Sequence, residues 1–189
     1  MYLYFLGLST RNVAKALSFL HIVKRSHVSI WKWIQKYNPQ KILSKKRKRI
    51  TEFIIDETVI QVGSEYIWVW VAIESKIKEI LALNISKERN MFVADRFIAK
   101  LVDVYGKHPV STDGGTWYPQ ACRFMNLKHH LHSPYEKSLI ERTMQYIKYR
   151  TESFHDYFPC NRKERCNLYH VKNWLNLFAN MFNKEVINA

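Results

Sequence analysis

The rhythm of apolar and polar positions along this chain changes near Thr51. Before it, apolar residues recur at helical spacing. Val13, Ala14, Leu17 and Leu20 form one stripe, and Ser9 is placed to cap a helix over residues 10–19. A second helix, capped by Ser26 or Ser29, extends to about Tyr37 with Ile30, Trp33 and Ile34 facing inward, and Pro39 stops it. Met1 to Leu6 reads as the stub of a preceding helix, so this module reads as clipped at its N-terminus.

Beyond Thr51 the pattern shortens. Glu52 to Val62, Tyr66 to Glu74 and Glu79 to Ser86 are rich in Ile, Val, Trp and Tyr, and Gly63-Ser64 and Ser75-Lys76 separate them as turns. Three such strands make an antiparallel meander. A helix follows over residues 90–105, with Phe92, Val93, Phe97, Leu101 and Val104 at helical spacing and Gly106 as its stop. Residues 108–112 read as a fourth strand, 117–125 as a helix, 127–131 as a fifth strand, and Pro134 introduces a long helix with Leu139, Ile140, Met144 and Ile147 on one face. Trp174, Leu175, Leu177 and Phe178 are core positions of a closing helix. The order β-β-β-α-β-α-β-α, with helical crossovers, implies an α/β fold: a mixed five-stranded sheet with flanking helices.

Charge sharpens the first segment. The formal net charge is +14, yet Met1 to Thr51 holds twelve Lys and Arg and no Asp or Glu, so nearly all of the excess lies in the first quarter. A polyanion is the natural partner of such a block. Two short helices whose second bears Ser29, Lys32 and Lys36 fit a helix-turn-helix that lays its second helix in the major groove of DNA; an ordinary helical hairpin is the bland alternative. Lys45-Lys46-Arg47-Lys48-Arg49 cannot pack in a core and reads as a hinge or a phosphate-contacting strap. Residues 1–43 thus form a DNA-binding module, 44–50 a basic linker and 51–189 a larger domain. No membrane span or signal peptide is expected, and three cysteines suit reduced thiols in the cytoplasm.

Acidic residues supply the candidate chemistry. Asp56 sits within an apolar strand, where an unpaired carboxylate is costly. Asp113 ends the fourth strand before Gly114-Gly115, and a plain turn residue is its alternative. Glu141 lies on the long helix, with Glu136 and Glu152 as rivals. The first and fourth strands can lie side by side and bring Asp56 to Asp113, while a helix crossing that edge supplies Glu141. Converging carboxylates suit hard divalent cations, Mg²⁺ or Mn²⁺, and a pair of such ions serves in-line phosphodiester displacement. Glu57 should point to the opposite sheet face. Lys128, His129, His130 and His132 read as an exposed polar patch, and Trp117 and Tyr118 as either base-stacking or packing residues. Cys160, Cys166 and His170, with His155, have a spacing that could seat zinc, without the tight pairs of a structural zinc site.

Phe53 to Thr58, Ser111 to Pro119 and Ile140 to Lys148 together resemble the catalytic blocks of prokaryotic DDE transposases, in the insertion sequence six group. The Trp68-Val69-Trp70 strand and the helix-turn-helix match in place, so the resemblance covers nearly the whole chain. It implies a ribonuclease-H-like core, metal binding by Asp56, Asp113 and Glu141, and DNA contact by Lys148 and neighbouring Arg142. It also implies cleavage at element ends, 3′-hydroxyl strand transfer into double-stranded target DNA, and a homo-oligomer on DNA. The Asp113–Glu141 interval is shorter than in many members. The rivals are a ribonuclease-H-like nuclease or resolvase, and an inactive copy that only binds DNA.

Overall fold

The computed structural model describes residues 1–36, 50–152 and 168–188. Its centre is a five-stranded sheet in the order β3-β2-β1-β4-β5, built from β1 (Phe53–Val62), β2 (Glu65–Glu74), β3 (Ile80–Ser86), β4 (Val110–Thr112) and β5 (His129–Leu131). β1, β2 and β3 form the antiparallel meander, while β4 runs parallel to β1 and β5 parallel to β4. The helices are α1 (Tyr2–Phe5), α2 (Thr10–Phe19), α3 (His27–Lys36), α4 (Met91–Tyr105), α5 (Trp117–Phe124), α6 (Pro134–Thr151) and α7 (Leu168–Asn188).

Both faces of the sheet are covered, which explains why Phe53-Ile54-Ile55 is a continuous apolar run rather than an alternation. All three are fully buried. Phe53 and Ile55 join Trp70, Phe97, Leu101 and Tyr118 in the layer under α4 and α5. Ile54 joins Val69, Val71, Ile140, Ile147 and Phe178 in the layer under α6 and α7. Each such side chain contributes on the order of 2 kcal/mol through burial. The α2–α3 pair packs into the second layer, since Phe5, Val13, Ile30 and Ile34 belong to the same apolar cluster as α6 and α7.

Some positions differ from the periodic expectation. Trp33 and Leu20 are exposed, as are Phe92 and Val104. On α4 the buried stripe is Val93, Ala94, Phe97, Ile98 and Leu101. It ends on Tyr105, whose hydroxyl donates to the Leu81 carbonyl at 3.0 Å. Phe92 and Val104 flank that stripe, and their hydrophobicity alone put them inside it. Ser26, not Ser29, caps α3: its hydroxyl accepts the Ser29 backbone N–H at 3.2 Å. The basic run Lys45 to Arg49 and the cysteines Cys160 and Cys166, with His155, lie outside the described residues.

Backbone ends are closed by side chains. Ser133 and Glu136 form a capping box at the start of α6, with Pro134 in its first turn, a feature worth about 1 kcal/mol. On the edge strand, the Asn183 amide of α7 accepts from the Ile80 N–H and donates to the Ile80 carbonyl, both at 2.8 Å, standing in for a neighbouring strand.

Of the histidines around β5, His130 is exposed as expected of a polar patch, whereas His129 and His132 are half-buried. The His129 and His132 rings make hydrogen bonds with Thr112 Oγ1 at 2.8 Å and Ser111 Oγ at 2.7 Å, and burial lowers the pKa of both. His130 Nε2 lies 3.2 Å from Glu52 Oε1 and 3.5 Å from Glu136 Oε1. The parallel β4–β5 register brings His129 and His132 within reach of the β4 hydroxyls, which sequence periodicity in a three-residue strand does not reveal.

Glu52 and Glu136 tie the start of β1 to the start of α6. Burial pushes the Glu52 carboxyl up to about 7, and Glu136 beside it adds to the rise. Burial acts the same way on Glu136, but hydrogen bonds from the Ser133 backbone, Glu52, and the Ser133 and Ser111 side chains outweigh it and hold that group at about 2. The pair therefore shares one proton. Glu52 contributes stability that is complete below the ordinary value of 4.5 and is lost as pH rises through about 7. Glu136 contributes stability present above 4.5 and lost as pH falls toward about 2. Denaturant melts of Glu52→Gln beside the parent should show the variant gaining relative stability as pH rises from about 5 to about 8. Parallel profiles would mean that no proton is shared.

Candidate active site

The parallel pairing of β1 with β4 sets Phe53 against Val110 and Ile54 against Ser111. Two residues further along, the same register brings Asp56 level with Asp113, the first residue beyond β4. One carboxylate oxygen from each of Asp56, Glu57 and Asp113 lies within 4.8 Å of the others. Gly114 then turns the chain at φ +93°, and the Asp113 Oδ1 accepts the Gly115 N–H at 3.0 Å. A Cβ at Gly114 would come within 3.0 Å of Leu131 Cδ2, so both backbone conformation and space call for glycine.

Asp56 is half-buried and lines a hollow, and Asp113 is exposed, so the pair is reached from solvent rather than enclosed in the core. Burial pushes the Asp56 carboxyl up to about 7. The Glu57 backbone N–H opposes that rise, the Asp113 and Glu57 carboxylates add to it, and Arg89 offsets part of it. An Asp56 carboxyl that burial and neighbouring carboxylates hold back from ionising belongs to a donor set that a hard cation relieves. The residues present fit Mg²⁺ or Mn²⁺ in chemistry: hard oxygens, close spacing and access from solvent.

Glu141, on α6, lines the same hollow as Asp56, together with Gln145 and Lys148. Its carboxylate lies outside the 4.8 Å cluster; it is exposed and sits 3.9 Å from Lys137 Nζ. Lys148 is exposed and also borders a neighbouring hollow with Gln61, Tyr66 and Glu152. Arg142 is exposed too, and its Nε donates to the Ser138 carbonyl. Of the rivals to Glu141, Glu136 is committed to the capping box and Glu152 is the C-cap of α6. On α3, Lys32 and Lys36 are exposed, whereas the Ser29 hydroxyl meets that of Ser26 at 3.1 Å.

A family model described as a DDE domain, of the IS240 transposase kind, matches residues 50–173. The chain belongs to the DDE transposases of the insertion sequence six type. An uncharacterised protein of Methanocaldococcus jannaschii is 32% identical over 183 residues, covering 96% of this chain and 82% of that one. Staphylococcus aureus transposases for the insertion sequence-like element IS431mec are 29% identical over 134 residues, covering 66% of this chain. The match spans 59% of the length of those transposases. Among solved structures, a simian T-cell lymphotropic virus intasome in complex with PP2A regulatory subunit B56 gamma superposes with a TM-score of 0.50 and 18% identity, over 85% of this chain and 66% of that one. The HTLV-2 integrase catalytic core domain in complex with magnesium gives 0.50 and 16%, over 67% of this chain and 84% of that one. These likenesses concern the fold, a ribonuclease-H-like mixed sheet with flanking helices. Among the described residues of this DDE transposase, no helix is long and apolar enough to cross a membrane.

The sequence reading missed what surrounds the acids. Glu57 does point to the opposite layer, as alternation requires, but one of its oxygens still falls within the acidic cluster. Arg89 donates to Glu57 Oε1 from Nε and Nη2, each at 2.6 Å, and the Tyr118 hydroxyl donates to Oε2. Tyr118 is fully buried and so cannot stack on a base. The Trp117 ring has the Arg89 guanidinium 4.4 Å from its centroid. No motif flags Arg89, which sits in the loop before α4, because its partners come from three other elements.

The DDE transposase should be sensitive at the Asp113 turn. Gly114→Ala forces a positive φ on a residue with a side chain and is expected to cost about 1–3 kcal/mol, read by denaturant melting. An unchanged midpoint would show that the turn relaxes freely.

Proposed function

We propose that this DDE transposase cuts DNA at the ends of its insertion sequence and joins the resulting 3′-hydroxyls to double-stranded target DNA. The observation that carries the reading is the meeting of Asp56 with Asp113 beside the hollow that Asp56 lines together with Glu141 and Lys148. Asp56 and Asp113 would hold a pair of divalent ions, Mg²⁺ or Mn²⁺, with Glu141 completing the set. When bound, such ions activate the attacking oxygen and stabilise the leaving one in an in-line displacement.

The chain's own residues do the rest. Asp56, half-buried on the central strand of the sheet, fixes the position of the reaction. Asp113, on its glycine turn, presents a carboxylate toward solvent where a phosphodiester can approach. Lys148, two helical turns beyond Glu141 and on the same face of α6, draws the DNA backbone along the hollow, and Arg142 extends that basic rim. Residues 1–43 read the element ends through α3, with Lys32 and Lys36 toward phosphate and Ser29 at the helix start. Lys45, Lys46, Arg47, Lys48 and Arg49 form a strap between this module and the domain from residue 51. The protein works on DNA in the cytoplasm and acts as a homo-oligomer, because two element ends must be joined to one target.

The test is cleavage and joining of DNA carrying the flanking terminal repeats, in Mg²⁺ or Mn²⁺, with Asp56→Asn and Asp113→Ala beside the parent. Joining by the parent should fall by at least about a thousandfold in either variant, the scale expected when transition-state charge stabilisation is lost. Cleavage without joining would favour a ribonuclease-H-like nuclease or resolvase, and binding without cleavage an inactive DNA-binding copy. Full activity in Asp56→Asn would sink the triad.

A further inference from the structure

Glu57 lies beside Asp56 on β1, within 4.8 Å of both aspartates, yet its side chain is 0% exposed. Both of its oxygens are taken. Arg89 occupies Oε1 with two N–H groups, and Tyr118 occupies Oε2. The Arg89 guanidinium itself lies over both Trp68 of β2 and Trp117 of α5, 4.7 and 4.4 Å from the two ring centroids. A planar cation suits that slot in a way an ammonium does not, because it can stack on both rings while directing two N–H bonds at one oxygen. Trp117 stands four residues after Asp113, and a Cβ at the intervening Gly115 would come within 2.9 Å of its ring. The cage is therefore packed against the turn that carries Asp113.

We propose that Glu57 is a further carboxylate of the metal pocket, kept off the ions by Arg89, and that Arg89 is thereby a positioning residue that sets how tightly a cation is held. The proposal rests on the metal-binding reading of Asp56 and Asp113. With Arg89 in place, Glu57 borders the hollow but its charge is offset, and Asp56 and Asp113 are the neighbouring carboxylates left to attract a cation. Without it, a third negative charge stands within reach of the same ion, and the charge balance shifts toward tighter binding in a displaced position. Removing Glu57 alone does the reverse, because an unopposed guanidinium then repels the cation.

The test is isothermal titration of Mn²⁺ into the full chain, at fixed pH and ionic strength, with DNA joining measured in parallel. Arg89→Gln should bind Mn²⁺ on the order of tenfold more tightly while joining falls. Glu57→Gln should bind on the order of tenfold more weakly. The double variant should return to near the parent affinity. A purely structural role would weaken binding in Arg89→Gln, and the second change would not correct it; that result, or unchanged affinities, overturns the proposal. If Arg89→Gln does not fold, Glu57→Gln against the double variant carries the test: weak binding restored in the double supports the proposal, and equal binding overturns it. Shifted affinities in a protein whose parent never joins DNA would defeat the transposase reading alone. Normal joining with unshifted affinities would defeat only this one.

Discussion

The pairing of β1 with β4 is the constraint on which the rest depends. Because the two strands run parallel, they cannot be joined by a tight turn, and the chain between them must leave the sheet, form α4 and return. That crossover is what allows Asp56 and Asp113, 57 positions apart, to sit at the same level of adjacent strands. A one-residue slip of β4 would exchange Val110 and Ser111 between the two layers, taking Val110 from under α4 and α5 and Ser111 from its bonds to His132 and Glu136, so the packing of both residues enforces the register that the carboxylates need. Packing on one face of the sheet thus specifies chemistry at its end.

Two ways of housing negative charge coexist within a few ångströms. Asp56 is left facing a hollow, with its ordinary ionisation opposed by burial and by Asp113. Glu57, its immediate neighbour, is sealed in the other layer by a guanidinium and a phenol. The alternation of a strand makes this possible, since adjacent residues belong to opposite layers. A third arrangement, the oppositely shifted carboxyls of Glu52 and Glu136, lies just before the start of β1 and joins it to the helix that carries Glu141.

Much of this was legible in the sequence. The strands, the crossover and the position of α6 followed from changes of periodicity and from Gly63, Gly106 and Pro134, and the side-by-side placement of Asp56 and Asp113 followed from the order of elements. Features made by residues distant in sequence were not. Arg89 gathers Glu57, Trp68 and Trp117 from three elements, and Asn183 reaches a strand about a hundred positions earlier. Neither has a local signature, because the physical cause is tertiary proximity. His129 and His132 were misread for a related reason: hydrophobicity scores imidazoles as polar, while the parallel register gives each a hydroxyl partner on β4. Trp33 and Phe92 show the opposite error, where hydrophobicity was taken for burial.

The helices of the first segment are not beads on a string. Phe5 packs on Tyr146 and Phe178, Arg150 donates to the Tyr4 carbonyl at 2.9 Å, and Tyr2 donates to Glu185 at 2.7 Å. Tyr146 and Arg150 belong to the same helix as Glu141. If α3 reads the element end and the bond is cut beside Asp113, as proposed above, that shared core acts as a ruler. The number of base pairs between the sequence recognised and the bond broken is then set by the protein interior, not by the slack of a tether.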